Sequence, residues 1–109
     1  MKKILFILIS ILFIGGCTST SDYKTLMENN DYVILDVRTK DEYDESHVID
    51  AINIPFDEID ETIEIDKDKL IFVYCKSGNR SSIAYNTLTN LGYEVYDLGA
   101  FKDIDLDKE

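Results

Sequence analysis

The chain has 109 residues, 45% of them hydrophobic, with 22 Asp and Glu against 11 Lys and Arg and a formal net charge of −11. That is room for one small domain with its own core. The acid excess excludes nucleic acid as a partner, because phosphate binding needs a basic face, and it excludes electrostatic docking onto an anionic lipid surface.

Met1-Lys2-Lys3 is a basic start, and 4–14 is apolar apart from Ser10. Eleven residues suit the core of a signal peptide and fall short of the roughly 20 needed to span a bilayer as a helix. The string Ile14-Gly15-Gly16-Cys17 resembles a bacterial lipobox, which implies a lipoprotein signal peptide over 1–16, cleavage before Cys17 and a diacylglycerol on the Cys17 sulfur. An uncleaved anchor or an ordinary secretory leader are the alternatives, and each also places the domain outside the cytoplasm. Residues 17–21 then form a short polar tether and 22–109 the folded domain. Losing Lys2 and Lys3 would take the net charge from −11 to −13.

Ser21-Asp22 is a helix cap, and Tyr23, Leu26 and Met27 fall on one side of a helix through Asn29. The β-branched run from Tyr32 to Val37 predicts a buried strand. Thr39 and Glu42 are spaced as a capping box for a short helix ending near Ser46. Ala51 to Ile54 is a second strand, closed by Pro55. Ile59 and Ile63, four apart, predict a helix or helical turn over 57–65. Leu70 to Tyr74 is apolar without alternation, a strand buried on both faces. A helix follows over 81–90, with Gly92 as its stop, and 94–98 is a last strand. Strands alternating with helices predict an α/β domain, a small and mainly parallel sheet flanked by helices on both faces.

Between the third of these strands and its helix lies Cys75-Lys76-Ser77-Gly78-Asn79-Arg80. A polar, glycine-containing loop between a buried strand and a helix start converges backbone N–H groups on one point, and the helix N-terminus adds positive potential there. Both favour a thiolate at Cys75. Sites of open α/β sheets lie at this end of the strands. Cys75 is the candidate nucleophile, with Lys76, Ser77, Gly78, Asn79 and Arg80 as its binding loop. Lys76 raises the local potential, Gly78 permits the tight turn, and Ser77 and Asn79 offer donors. Arg80 either binds an anionic donor or braces the loop against an acid. With Cys17 acylated, Cys75 is the one free thiol, so no internal disulfide or resolving cysteine exists. His47 is the single histidine, and one histidine with one thiol gives no metal-ligand set. Neither a metal nor another cofactor is expected.

Cys-x4-Arg after a hydrophobic strand resembles the active-site loop of the rhodanese family of sulfurtransferases. Asp36-Val37-Arg38 with Glu42-Tyr43 resembles a second family segment, and 46–55 is similar to the family's Gly-His-Ile-Pro-Gly-Ala-Ile-Asn-Ile-Pro. Leu98-Gly99-Ala100-Phe101 stands where Leu-x-Gly-Gly is usual. The resemblance covers about 22–104. Ser46, Ile49, Asp50, Ala100 and Ile104 depart from it, replacing Gly, Pro, Gly, Gly and Trp. It implies that Asp36, Arg38 and His47 are structural. It also implies a reaction in which Cys75 takes sulfane sulfur from a donor such as thiosulfate or a persulfide and passes it to a thiol or cyanide. The expected partners are that small sulfur donor, an external thiol acceptor and the membrane reached through Cys17, around a monomer. Two rivals remain at this point. One is a sulfur-carrier or binding module without general turnover. The other is a cysteine phosphatase or arsenate reductase, which the loop disfavours because the related phosphatases use Cys-x5-Arg, a wider cradle.

Overall fold

The computed structural model describes residues 20–109, with side chains from Asp22 onward. The leader over 1–16, the lipobox and Cys17 lie outside the described residues. Four strands, β1 (Tyr32–Asp36), β2 (Ile52–Asn53), β3 (Leu70–Cys75) and β4 (Val95–Ala100), form one sheet in the order β2-β1-β3-β4. Every neighbouring pair is parallel. Three helices accompany it: α1 (Thr20–Asn29), α2 (Lys40–Glu45) and α3 (Asn79–Asn90). α1 takes in Thr20 and Ser21, so the helix begins inside the stretch expected to be tether.

The third strand explains why the core has two halves. All six residues of β3 are buried, and side chains alternate between faces along a strand. Ile71, Val73 and Cys75 therefore join Leu35 and Val37 beneath Ala84 and Leu88 of α3. Leu70, Phe72 and Tyr74 join Ile34 on the opposite face, covered by Tyr23, Leu26 and Met27 of α1 and Tyr43 of α2. This is the α/β architecture expected from the strand–helix alternation, with helices on both faces.

Three local features differ from expectation. No α-helix forms over 57–65, where a single 3-10 turn covers Phe56–Glu58. Asp60 Oδ1 accepts from Thr62 N at 2.9 Å and Thr62 Oγ1 at 2.5 Å, a side-chain turn that competes with helix. Ile59 and Ile63 still pack against the core, so the apolar spacing reported burial and not helix. α3 begins at Asn79, two residues before the expected start, because Gly78 turns the chain at φ 103° in the left-handed region. β4 runs two residues further than expected, to Ala100, through an irregularity: Val73 pairs with Asp97 and Tyr74 with Gly99, leaving Leu98 as the extra residue of a bulge. The bulge carries Gly99 at φ 84°, sets Ala100 opposite Cys75 and delivers Phe101 to the same end of the sheet.

Candidate active site

Cys75 closes β3 at the C-terminal edge of the sheet, and its side chain is fully buried beneath the loop that follows. Gly78 N donates to Sγ at 2.9 Å. The thiol in turn donates to Ser81 Oγ at 3.4 Å, and that hydroxyl donates to the Gly78 carbonyl at 3.2 Å. When the proton leaves, the Ser81 hydroxyl is free to turn and donate to sulfur instead. Burial pushes the Cys75 thiol up. Hydrogen bonds from the Ser81 hydroxyl and from the backbone N–H groups of Ser81, Gly78 and Ser77 outweigh burial and hold it below the ordinary thiol value. The cradle is thus made chiefly of backbone, which is why the loop needs a tight turn more than particular side chains. A Cβ at Gly78 would meet nothing within 4 Å, so glycine is required there for its φ and not for space.

Ser81 was missed as a site residue in the sequence. It is completely buried in the first turn of α3. The signal was present: a hydroxyl six residues after a cysteine, directly following Arg80.

Lys76, Ser77 and Asn79 are exposed on the loop. Lys76 and Ser77 line a cavity of about 550 Å3 at the mouth of the loop, together with Arg38, Glu42, Ala100 and Phe101. Asn79 lies outside that lining. Arg80 makes a two-pronged pair with Glu42, Nη1 to Oε1 at 2.8 Å and Nη2 to Oε2 at 3.2 Å. The pair ties the loop to α2, whose capping box is formed as its spacing implied, with Thr39 and Glu42 bonding reciprocally. The Arg80 guanidinium beside it holds the Glu42 carboxyl down to about 2. Glu42 likewise raises Arg80, to which the negative charge available at Cys75 also contributes.

A second polar cluster supports the floor of the cavity. Arg38 Nε lies 3.0 Å from both oxygens of Asp36, and Arg38 Nη2 donates to Asp36 Oδ2 and to the Ser46 carbonyl, each at 2.6 Å. Tyr74 OH donates to Asp36 Oδ2 at 2.8 Å and accepts from Val48 N at 3.0 Å. Burial pulls Arg38 down, and the Asp36 hydrogen bonds more than reverse it, so the guanidinium stays charged. Phe101 stacks against it, ring centroid 4.4 Å from the guanidinium carbon. His47 is turned away from sulfur. Its Nδ1 meets the Tyr43 carbonyl at 2.8 Å, its Nε2 meets Glu109 at 3.1 Å, and its ring stacks on Tyr43.

Among the described residues no group of three or more His, Cys, Asp or Glu side chains is placed to hold a metal. The arrangement supplies one thiol held below its ordinary value, hydrogen-bond donors around it and an adjoining cavity, the features that nucleophilic thiol chemistry requires.

Comparison with known proteins places the chain in a family. The profile of the rhodanese-like domain matches residues 19–104. The thiosulfate sulfurtransferase PspE of Escherichia coli (strain K12) is 40% identical over 78 residues, spanning 68% of this chain and 75% of that protein. A probable molybdopterin-synthase adenylyltransferase of Porphyra purpurea is 42% identical over 67 residues, spanning 59% of this chain but 18% of that protein, so the likeness is to one part of a much longer chain. Among solved structures, a rhodanese with anions from E. coli superposes with a TM-score of 0.65 at 36% identity, covering 72% of this chain and 96% of that one. The chain belongs to the rhodanese-like domain family.

Proposed function

We propose that the protein is a sulfurtransferase that carries sulfane sulfur through a persulfide on Cys75. In the first step the Cys75 thiolate bonds to the outer sulfur of thiosulfate. The S–S bond of thiosulfate breaks, its electron pair leaves with sulfite, and Cys75 is left as Cys–S–S⁻. In the second step a thiol RSH receives the outer sulfur as RS–SH, the thiol proton ends on that sulfur, and the electron pair returns to Sγ. Cyanide takes the sulfur in the same way. The observation that carries the reading is the cradle itself: N–H donors and a hydroxyl converge on one buried sulfur whose pKa is depressed. The Cys-x4-Arg loop is sized for sulfur, and Gly78 N already sits 2.9 Å from Sγ. Arg80, braced by Glu42, contributes positive charge near the incoming anion. Lys76 adds charge at the mouth.

The likeness to one part of an adenylyltransferase favours a second reading, a carrier that delivers sulfur to a single partner without general turnover. The location proposed for either is outside the cytoplasm, on a lipid-modified Cys17, with the domain acting as a monomer.

Intact mass after incubation with thiosulfate tests the proposal. The expected result is a gain of one sulfur atom on Cys75, absent in Cys75→Ser and discharged by cyanide. A folded protein that gains no sulfur contradicts it. Discharge by one protein partner but not by cyanide or small thiols selects the carrier reading. Labelling with a fatty-acid analogue tests the anchor: wild type takes label and Cys17→Ser does not, whereas equal label on both refutes lipidation there.

A further inference from the structure

Phe101, which walls the cavity beside the Cys75 loop and covers Arg38, is itself held from behind. After it, Ile104 and Leu106 pack into the core, and Asp105 pairs with Lys24 of α1 at 3.3 Å. Residues 107–109 then lie antiparallel to 47–49. Ile49 N donates to the Asp107 carbonyl and His47 N to the Glu109 carbonyl, each at 2.9 Å, and Glu109 N donates to the His47 carbonyl at 2.8 Å. Between these bonds Lys108 sets its Nζ 4.9 Å from the centroid of the Phe101 ring. The 46–49 segment is tied to the same wall, because Arg38 Nη2 donates to the Ser46 carbonyl. The circuit closes: Phe101 on Arg38, Arg38 on Ser46, His47 on Glu109, and Lys108 back on Phe101.

One member of this circuit gains and loses a proton. His47 turns both ring nitrogens to oxygen acceptors, Nδ1 to the Tyr43 carbonyl at 2.8 Å and Nε2 to the Glu109 carboxylate at 3.1 Å. A carbonyl and an ionised carboxylate only accept. A neutral imidazole has one N–H, so it satisfies one of them and turns a lone pair on the other; the imidazolium donates to both. Tyr43 of α2 stacks on the ring at 3.9 Å, its hydroxyl already spent on the Ala51 carbonyl. The other acids that act on Tyr43 are Asp36 and Asp44, and they are paired with Arg38 and Lys40. Glu109 is the acid placed to answer a charge on His47.

We infer that residues 105–109 form a proton-operated latch on the cavity: a doubly protonated His47 closes the segment on 47–49 and Lys108 steadies Phe101 over Arg38, and loss of the proton loosens the segment and the wall with it. This rests on the sulfurtransferase reading and adds a control to the same site. His47 and Lys108 are positioning residues. They touch neither the sulfur nor the substrate and act through Phe101. Imidazole is the side chain whose ordinary titration falls between about pH 5 and 8, so the latch works in the range where the thiol chemistry does.

His47 is the single histidine of the chain, so its ring-proton resonance reports the titration without further assignment. Turnover of thiosulfate with cyanide is measured across the same pH range in wild type and His47→Gln. The ratio of the two cancels the titration of Cys75, which both share. The ratio of kcat/KM is expected to step down roughly two- to fivefold as pH rises, the scale of one partly exposed ion pair. The step should fall at the midpoint of the His47 resonance and lie in KM for thiosulfate rather than in kcat. Glu109→Gln, at a side chain 60% exposed, should lower that midpoint and shrink the step. Lys108→Gln should keep the midpoint and flatten the step, and Lys108→Arg should restore it. A flat ratio, a midpoint indifferent to Glu109→Gln, or a step that survives Lys108→Gln overturns the inference and leaves persulfide chemistry standing. If wild type turns over no thiosulfate, the sulfurtransferase reading falls. The latch is then decided by alkylation of Cys75 with iodoacetate in the same variants, where the same step supports it and a flat ratio overturns it.

Discussion

The ends of β1 and β3 lie side by side and both carry chemically capable residues, yet they are built on opposite plans. At the end of β1, Asp36 and Arg38 bond each other, and Tyr74, Val48 and Ser46 take up most of what remains. Side chain answers side chain, and the carboxylate is consumed internally. At the end of β3, backbone N–H groups converge on a single sulfur. A satisfied polar cluster is scaffold, because its groups have nothing left to offer a substrate except at its rim. A cradle of donors around one ionisable atom stabilises whatever charge that atom or its adduct carries. The lesson is that the count of polar residues at a strand end says less than whether they spend their bonding capacity on one another.

The comparison breaks most visibly at Asp36. Asp36→Asn leaves the buried Arg38 guanidinium without a counter-charge, a loss on the order of 3–5 kcal/mol for a buried pair with one partner removed. Urea unfolding measures it. A loss below about 1 kcal/mol would mean that the β1 end is not the scaffold described.

The Glu42–Arg80 pair stands between the two plans, since its side chains are each 26% exposed. Arg80→Ala is expected to cost about 1 kcal/mol at most in stability and to weaken loading by thiosulfate more than it weakens the fold. A large unfolding effect with unaltered loading of the folded fraction would reduce Arg80 to a brace. The pair also has a pH signature. The Glu42 carboxyl falls from an ordinary 4.5 to about 2 in the fold. Its contribution to stability is therefore complete above about 4.5 and drains away as pH falls through about 2. Glu42→Gln should flatten the acid limb of the stability curve in that window, and an unchanged limb would show the pair to be absent in solution.

The smallest effect concerns Asp50, which holds φ 71° where an L side chain is strained. The position is exposed and stands where the family resemblance has glycine. Asp50→Gly relieves the strain and should gain up to about 1 kcal/mol, read as a higher melting temperature. A loss would show that the aspartate makes a contact that compensates for its backbone.

Much of this was readable locally. The apolar run of β3, the Thr39–Glu42 capping box and the strand–loop–helix around Cys75 each lie within a dozen residues, and each formed. The bracing of Arg80 by Glu42 was open in the sequence because its partner lies 38 positions away, and many acids could have filled the role. Phe101 over Arg38 depends on the Leu98 bulge, which no period in the sequence announces. The isoleucines of 59–63 misled for a related reason: burial set their spacing, while the Asp60–Thr62 turn set the backbone.

The central claim is that hydrogen bonds from the loop and Ser81 hold the Cys75 thiol below its ordinary value. The most direct measurement is the ultraviolet thiolate absorbance of a Cys17→Ser background across pH, compared with the same protein carrying Ser81→Ala. The account predicts a Cys75 midpoint below the ordinary thiol value of 9.0, moving upward when the Ser81 hydroxyl is removed. A midpoint at or above the ordinary value, or one indifferent to Ser81→Ala, would contradict it.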